Sequence, residues 1–145
     1  MSVKTASWIV LALVGALTLL ASLASVGVAY FSEDDIIGGA EGIELGELAA
    51  GREDVETALK ARRGTAAAFG TGYSLLFLIV VLLPYRRGEV WAWWSILAGT
   101  LTVSGIILLR VPMLGTRLGL GAAVPALVVV SLGLLLDVKR LKAPR

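Results

Sequence analysis

The run Pro84-Tyr85-Arg86-Arg87-Gly88-Glu89-Val90-Trp91-Ala92-Trp93-Trp94 is the densest concentration of chemistry-bearing side chains in the chain. Two adjacent guanidiniums, Arg86 and Arg87, are permanent cations whose planar forks match phosphate oxygens. Glu89 stands close enough in sequence to orient one of them. The indoles of Trp91, Trp93 and Trp94 pair an apolar body with a polar N–H, the combination that settles at a membrane–water boundary. Together these six residues are candidates for holding a lipid headgroup, with phosphate on the arginines and the rings lining the pocket. The same residues also read as a tight turn, in which Pro84 ends one helix, Gly88 makes the bend and the arginines rest on anionic headgroups.

Other chemistry is narrowly bounded. The sequence contains no Cys and no His, and reading it through finds no Asn or Gln. Disulfides, thiol nucleophiles, zinc sites built on His or Cys, and imidazole acid–base steps are therefore excluded. No cofactor and no metal is expected. Glu33-Asp34-Asp35 lacks the alternation of a calcium loop, and Glu41, Glu44 and Glu47 fit a solvated helix face. A membrane enzyme would have to work with carboxylates, arginines and hydroxyls alone, and is the third choice of function. The net charge of +2 is too small to argue for nucleic acid. Loss of the thermolabile residue types points mildly to a thermophile.

The elements that must position these residues follow from composition. Hydrophobic residues make up 57% of 145 residues, charged residues 17%, and mean hydropathy is +0.87. A soluble core of 15.2 kDa cannot hide that much apolar surface. The fold class is therefore an all-α integral membrane protein, a four-transmembrane-helix bundle forming a single membrane domain. About 20 apolar residues cross a hydrocarbon core roughly 30 Å thick. Spans are predicted over 6–31, 66–84, 90–109 and 118–136, the third closed by Arg110 and Pro112 and the fourth by Asp137. Span one is read as retained, because its apolar run exceeds the 7–15 residues of a signal-peptide core. No ionisable residue lies inside the four spans. Arg110 and Asp137 sit at span ends, where snorkelling suffices.

An acidic segment, 32–65, separates spans one and two, with nine acidic and four basic residues for a net of −5. Within it Glu53–Arg63 is predicted as a short extracytoplasmic helix. Glu53, Asp54 and Glu56 complement its positive end, Glu56 and Lys60 form an i,i+4 pair, and Val55 and Leu59 make an apolar stripe. Ile43, Leu45 and Leu48 suggest a second amphipathic turn after Gly38-Gly39.

Lys4 precedes span one and no Lys or Arg follows it until Arg52, while Lys139, Arg140, Lys142 and Arg145 close the chain. The positive-inside rule then places both termini in the cytoplasm. Trp8 opens span one, and Trp91, Trp93 and Trp94 open span three. All four indoles thus fall on one side of a four-span layout.

On the turn motif, 11 residues in all, the chain resembles small four-span bacterial membrane proteins of unknown function. In these a P-Y/F-R-R-G-E-x-W-A-W-W turn joins spans two and three. The layout is also loosely similar to DoxX-like proteins. The resemblance implies a bacterial cell-membrane location and the four-span fold, carries no activity, and does not extend to the acidic segment.

Span three carries a small-residue stripe, Ala92, Ser95, Gly99 and Thr102, for close helix packing within the bundle or in a homo-oligomer. Pro125 inside span four is expected to kink it near Gly121. The function expected from all this is that of a small non-catalytic membrane protein. It would be an accessory subunit with a membrane-protein partner or a lipid-interacting scaffold, with an oligomeric small-molecule or lipid transporter as the alternative. The topology is testable because the native chain has no thiol. In intact cells an impermeant maleimide should label Ala50→Cys and spare Ser2→Cys, Gly88→Cys and Ala143→Cys. Labelling at Gly88→Cys would invert the orientation.

Overall fold

A computed structural model describes residues 3–31, 36–37, 43–44, 52–115, 117 and 119–142. Helix α1 spans Val3–Phe31, α2 Glu53–Val80, α3 Val90–Leu108, α4 Arg110–Leu114 and α5 Leu120–Leu136. A π-helical turn, Val81–Tyr85, extends α2, and a 3-10 turn, Val138–Lys142, follows α5. Three helical stretches are long and apolar enough to cross a membrane: Thr5–Phe31, Glu53–Tyr85 and Val90–Leu114. The fourth apolar helix, Leu120–Leu136, is shorter, at 17 residues.

Helix α2 starts where its charges predict. Glu53, Asp54 and Glu56 occupy its first turn, Arg52 donates to Asp54 at 2.9 Å, and Lys60 meets Glu56 at 2.7 Å. The Arg52 guanidinium holds the Asp54 carboxyl below its ordinary value. A depressed carboxylate stabilises the fold above its unfolded pKa, so this exposed pair loses its effect only on acidification below that range. The expected separate helix over Glu53–Arg63 is corrected: it is the opening of a 28-residue helix. No proline interrupts that range, and Ala66-Ala67-Ala68, the best helix formers, carry it past Gly64, Gly70 and Gly72. The side chains of Thr65 and Thr71 return their protons to the carbonyls of Ala61 and Ala67, at 3.0 and 2.9 Å.

Two prolines expected to end helices do not. Pro84 has no N–H to give to the carbonyl of Val80, and the helix widens into the π turn. Glu89 N–H then donates to Pro84 O at 3.1 Å, and Gly88, at φ 97°, ends the helix. Pro112 likewise removes a donor to Leu108, which separates α3 from α4. The path nevertheless continues, with Met113 N–H on Leu109 O at 3.1 Å, until Gly115 at φ 64°. Gly119, at φ 86°, precedes α5, and Pro125 lies within it.

The fold is all-α, as expected, while the amphipathic turn expected at Ile43 is corrected by a short antiparallel ladder. Ile36–Ile37 pairs with Ile43–Glu44, Ile36 opposite Glu44 and Ile37 opposite Ile43. Three of the four paired residues are the β-branched isoleucines, which favour extended backbone over a helical turn. Gly38, Gly39, Leu45 and Leu48 lie outside the described residues.

The chain divides into two compact units, Met1–Ala16 with Leu75–Arg145, and Leu17–Ser74. In the second, α1 and α2 pack through small residues. A Cβ on Gly64 would fall 2.7 Å from Tyr30 Cζ and one on Gly70 2.8 Å from Ser22 Oγ, while Arg63 Nε donates to Ser25 Oγ at 3.5 Å. In the first unit Leu11, Val81, Tyr85, Ala92, Trp93, Ile96, Val130 and Leu134 form the core. Two glycines set its helix spacing. A Cβ on Gly15 would lie 2.8 Å from Leu78 Cδ2, and one on Gly133 would lie 3.1 Å from Leu11 Cδ2. Gly133→Leu should therefore cost about 1–3 kcal/mol by overpacking and lower the melting temperature in detergent. An unchanged value would show that α1 does not press on α5 at that point.

Candidate functional site

The first unit gathers its polar groups near the start of α1. Ser7 Oγ donates to the carbonyl of Gly133 at 2.7 Å and lies 2.6 Å from Tyr85 Oη, which donates to it in turn. Both Ser7 and Tyr85 are fully buried. One turn of chemistry thus joins α1, the π turn and α5. Trp93 brings in α3 by donating its indole N–H to Leu134 O at 3.0 Å. The π turn is what allows this. Its extra residue re-aims the side chains that follow Pro84, and Val81 and Tyr85, four apart, both face the core. Asp137, expected to snorkel outward, is instead 3% exposed, its backbone N–H on Leu134 O at 3.1 Å.

The sequence-predicted headgroup residues surround this cluster unevenly. Arg86, Arg87 and Glu89 are exposed, and Trp91 and Trp94 are each 54% exposed. The Arg86 guanidinium lies over the Trp8 ring, 5.1 Å from its centroid, a cation–π contact. Glu89 accepts from the Trp91 indole N–H rather than from an arginine. Trp93 stands apart from the other indoles: it is 7% exposed, packs edge-on against Trp94 with centroids 4.9 Å apart, and belongs to the core. The exposed face therefore consists of Arg86, Arg87, Glu89, Trp91 and Trp94, with half-buried Trp8 under Arg86 and exposed Lys139 in the turn after α5.

The small-residue stripe is also divided. Ala92 is fully buried, Gly99 is half-buried, and Ser95 and Thr102 are exposed. Besides Trp93, the side chains that α3 buries run instead Ala92, Ile96, Thr100 and Ser104, at intervals of four. Thr100 Oγ1 has no hydrogen-bond partner among the described residues.

Ser7, Gly133 and the inward turn of Tyr85 were not singled out from the sequence. One signal was present: Pro84 inside an apolar run announces a helix irregularity, and the next side chain is a tyrosine whose hydroxyl needs a partner if buried. Comparison of the chain with family models, with curated proteins and with solved structures returns no match.

The bridge is open to a double-mutant cycle. Ser7→Ala and Tyr85→Phe should each lower detergent stability. The double variant should fall short of their sum by a coupling of about 0.5–1.5 kcal/mol. Strictly additive losses would show that the 2.6 Å contact contributes nothing.

Proposed function

We propose that this is a multi-pass membrane protein, with four spans and both termini cytoplasmic, that acts without catalysis as an accessory subunit or lipid-interacting scaffold. The observation that carries the reading is the exposed cationic and aromatic face at one end of the first unit. Arg86 is stacked on Trp8, Arg87 stands beside it, and Trp91 and Trp94 are half-exposed next to them. Amphipathic indoles at a helix end suit the headgroup level, and paired guanidiniums suit phosphate. Large apolar side chains point outward from every long helix, among them Leu17, Leu76, Ile106 and Leu135, as hydrocarbon surroundings favour. Ser7, Tyr85 and Gly133 draw the basic residues 86, 87 and 139 to one end, in keeping with a cytoplasmic face.

A second reading, an oligomeric transporter, is favoured by one observation. Ser95 and Thr102 lie exposed on α3 with Gly99 half-buried between them, a surface suited to close approach by another helix. The resemblance of the 84–94 turn to small four-span bacterial proteins adds layout to either reading and no activity.

The two separate in one experiment. Protein extracted in native nanodiscs should carry an enriched anionic-lipid fraction or a defined partner protein. Arg86→Gln/Arg87→Gln should reduce the lipid enrichment, because each surface cation contributes about 1 kcal/mol of attraction to an acidic leaflet. A protein with neither partner nor enriched lipid, but with measurable solute flux in vesicles, would overturn the scaffold reading.

A further inference from the structure

Resting on the lipid reading above, we infer that Trp91 is a positioning residue that keeps Glu89 off the arginine pair, so that the turn selects a phosphodiester headgroup with no ammonium group of its own. Three observations meet here. The Trp91 indole N–H donates to Glu89 Oε2. Among the described residues neither Arg86 nor Arg87 belongs to an ion pair, whereas Arg52 pairs with Asp54 and Lys60 with Glu56. The Arg86 guanidinium is held over the Trp8 face.

Glu89 is only two residues from Arg87 and three from Arg86, across a glycine bend. A carboxylate so placed and free to turn would pair with a guanidinium. Bound to the indole, it leaves both cations for an outside anion. Two arginines less one carboxylate leave +1, which a single phosphodiester charge neutralises. A choline or ethanolamine headgroup brings its own cation to the same place and gains less from the site. Arg86, fixed against Trp8, sets the position, and Arg87 reaches the phosphate in the forked geometry that guanidinium favours.

The test uses the full chain in phosphatidylcholine nanodiscs doped with phosphatidylglycerol or, separately, with phosphatidylethanolamine. Its readout is the lipid that remains bound. The wild type should enrich phosphatidylglycerol over phosphatidylethanolamine. Trp91→Phe keeps an aromatic ring and deletes the N–H, and it should lower that enrichment about fivefold, the weight of one surface cation near an acidic leaflet. Trp91→Phe/Glu89→Gln should restore it, which a merely structural role for Trp91 would not do. If Trp91→Phe changes nothing while Arg86→Gln/Arg87→Gln abolishes enrichment, this inference falls and the lipid reading stands. If no variant matters, both fall. Displacement of the lipid by inorganic phosphate at matched concentration would assign the site to free phosphate and overturn the headgroup specificity.

Discussion

A buried hydroxyl away from water must find its partners inside the protein, and the first unit is arranged around one that does. Ser7 Oγ both donates and accepts, to Gly133 O and from Tyr85 Oη, so its capacity is nearly filled by two other elements. Each bond contributes modestly, about 1 kcal/mol. Their effect on specificity is larger, because between apolar helices there is little else to fix one rotation or one depth over another. A side chain on Gly133 would press on Leu11, so the glycine keeps α1 close to α5 where Ser7 reaches its carbonyl, and Tyr85 is turned inward by the π turn. The Trp93 bond to Leu134, one residue further along α5, extends the same junction to α3.

The junction in turn sorts the aromatic residues of the following turn. With Tyr85 and Trp93 committed to the core, Arg86, Arg87, Trp91 and Trp94 have only the outside left. Pro84 therefore serves the outer face indirectly. Its missing donor produces the irregular turn, the irregular turn buries Tyr85, and the burial of Tyr85 presents the two arginines side by side. Gly88, in a conformation that a Cβ would strain, then lets Glu89 fold toward Trp91.

Hydropathy made the long helices legible, since three of the four apolar runs reappear as helices long enough to cross a membrane and the fourth as a shorter one. Charge placement located the start of α2 and its Glu56–Lys60 pair. The ends were less legible. Proline reads from sequence as a stop at positions 84 and 112, where an apolar helix instead loses one hydrogen bond and goes on. Segment 53–63 looked separable because its charges differ from the run after it, yet backbone hydrogen bonding is indifferent to that change of polarity. Of the candidate site, the arginines and two tryptophans stand on the surface as the motif suggests. Trp93 does not, because one helical step of 100° separates it from Trp94, and a list of residue types carries no such angle. The Ser7 junction is hidden for a different reason: one of its three partners is a backbone carbonyl, on a glycine with no side chain to mark it.

The unequal helix lengths have a consequence for any bilayer around them. At 1.5 Å per residue, the 29 residues of α1 reach about 43 Å and the 17 of α5 only about 26 Å. A hydrocarbon layer of roughly 30 Å is overshot by one and undershot by the other. A long helix can tilt or stand out into the headgroups; for α5 to cross as the proposed fourth span, lipid chains beside it would have to shorten or disorder to meet its ends. That elastic cost, fractions of a kcal/mol per Å, falls on the membrane and not on the protein. It grows with membrane thickness, so on the proposed four-span reading the length of α5 ranks thin bilayers above thick ones.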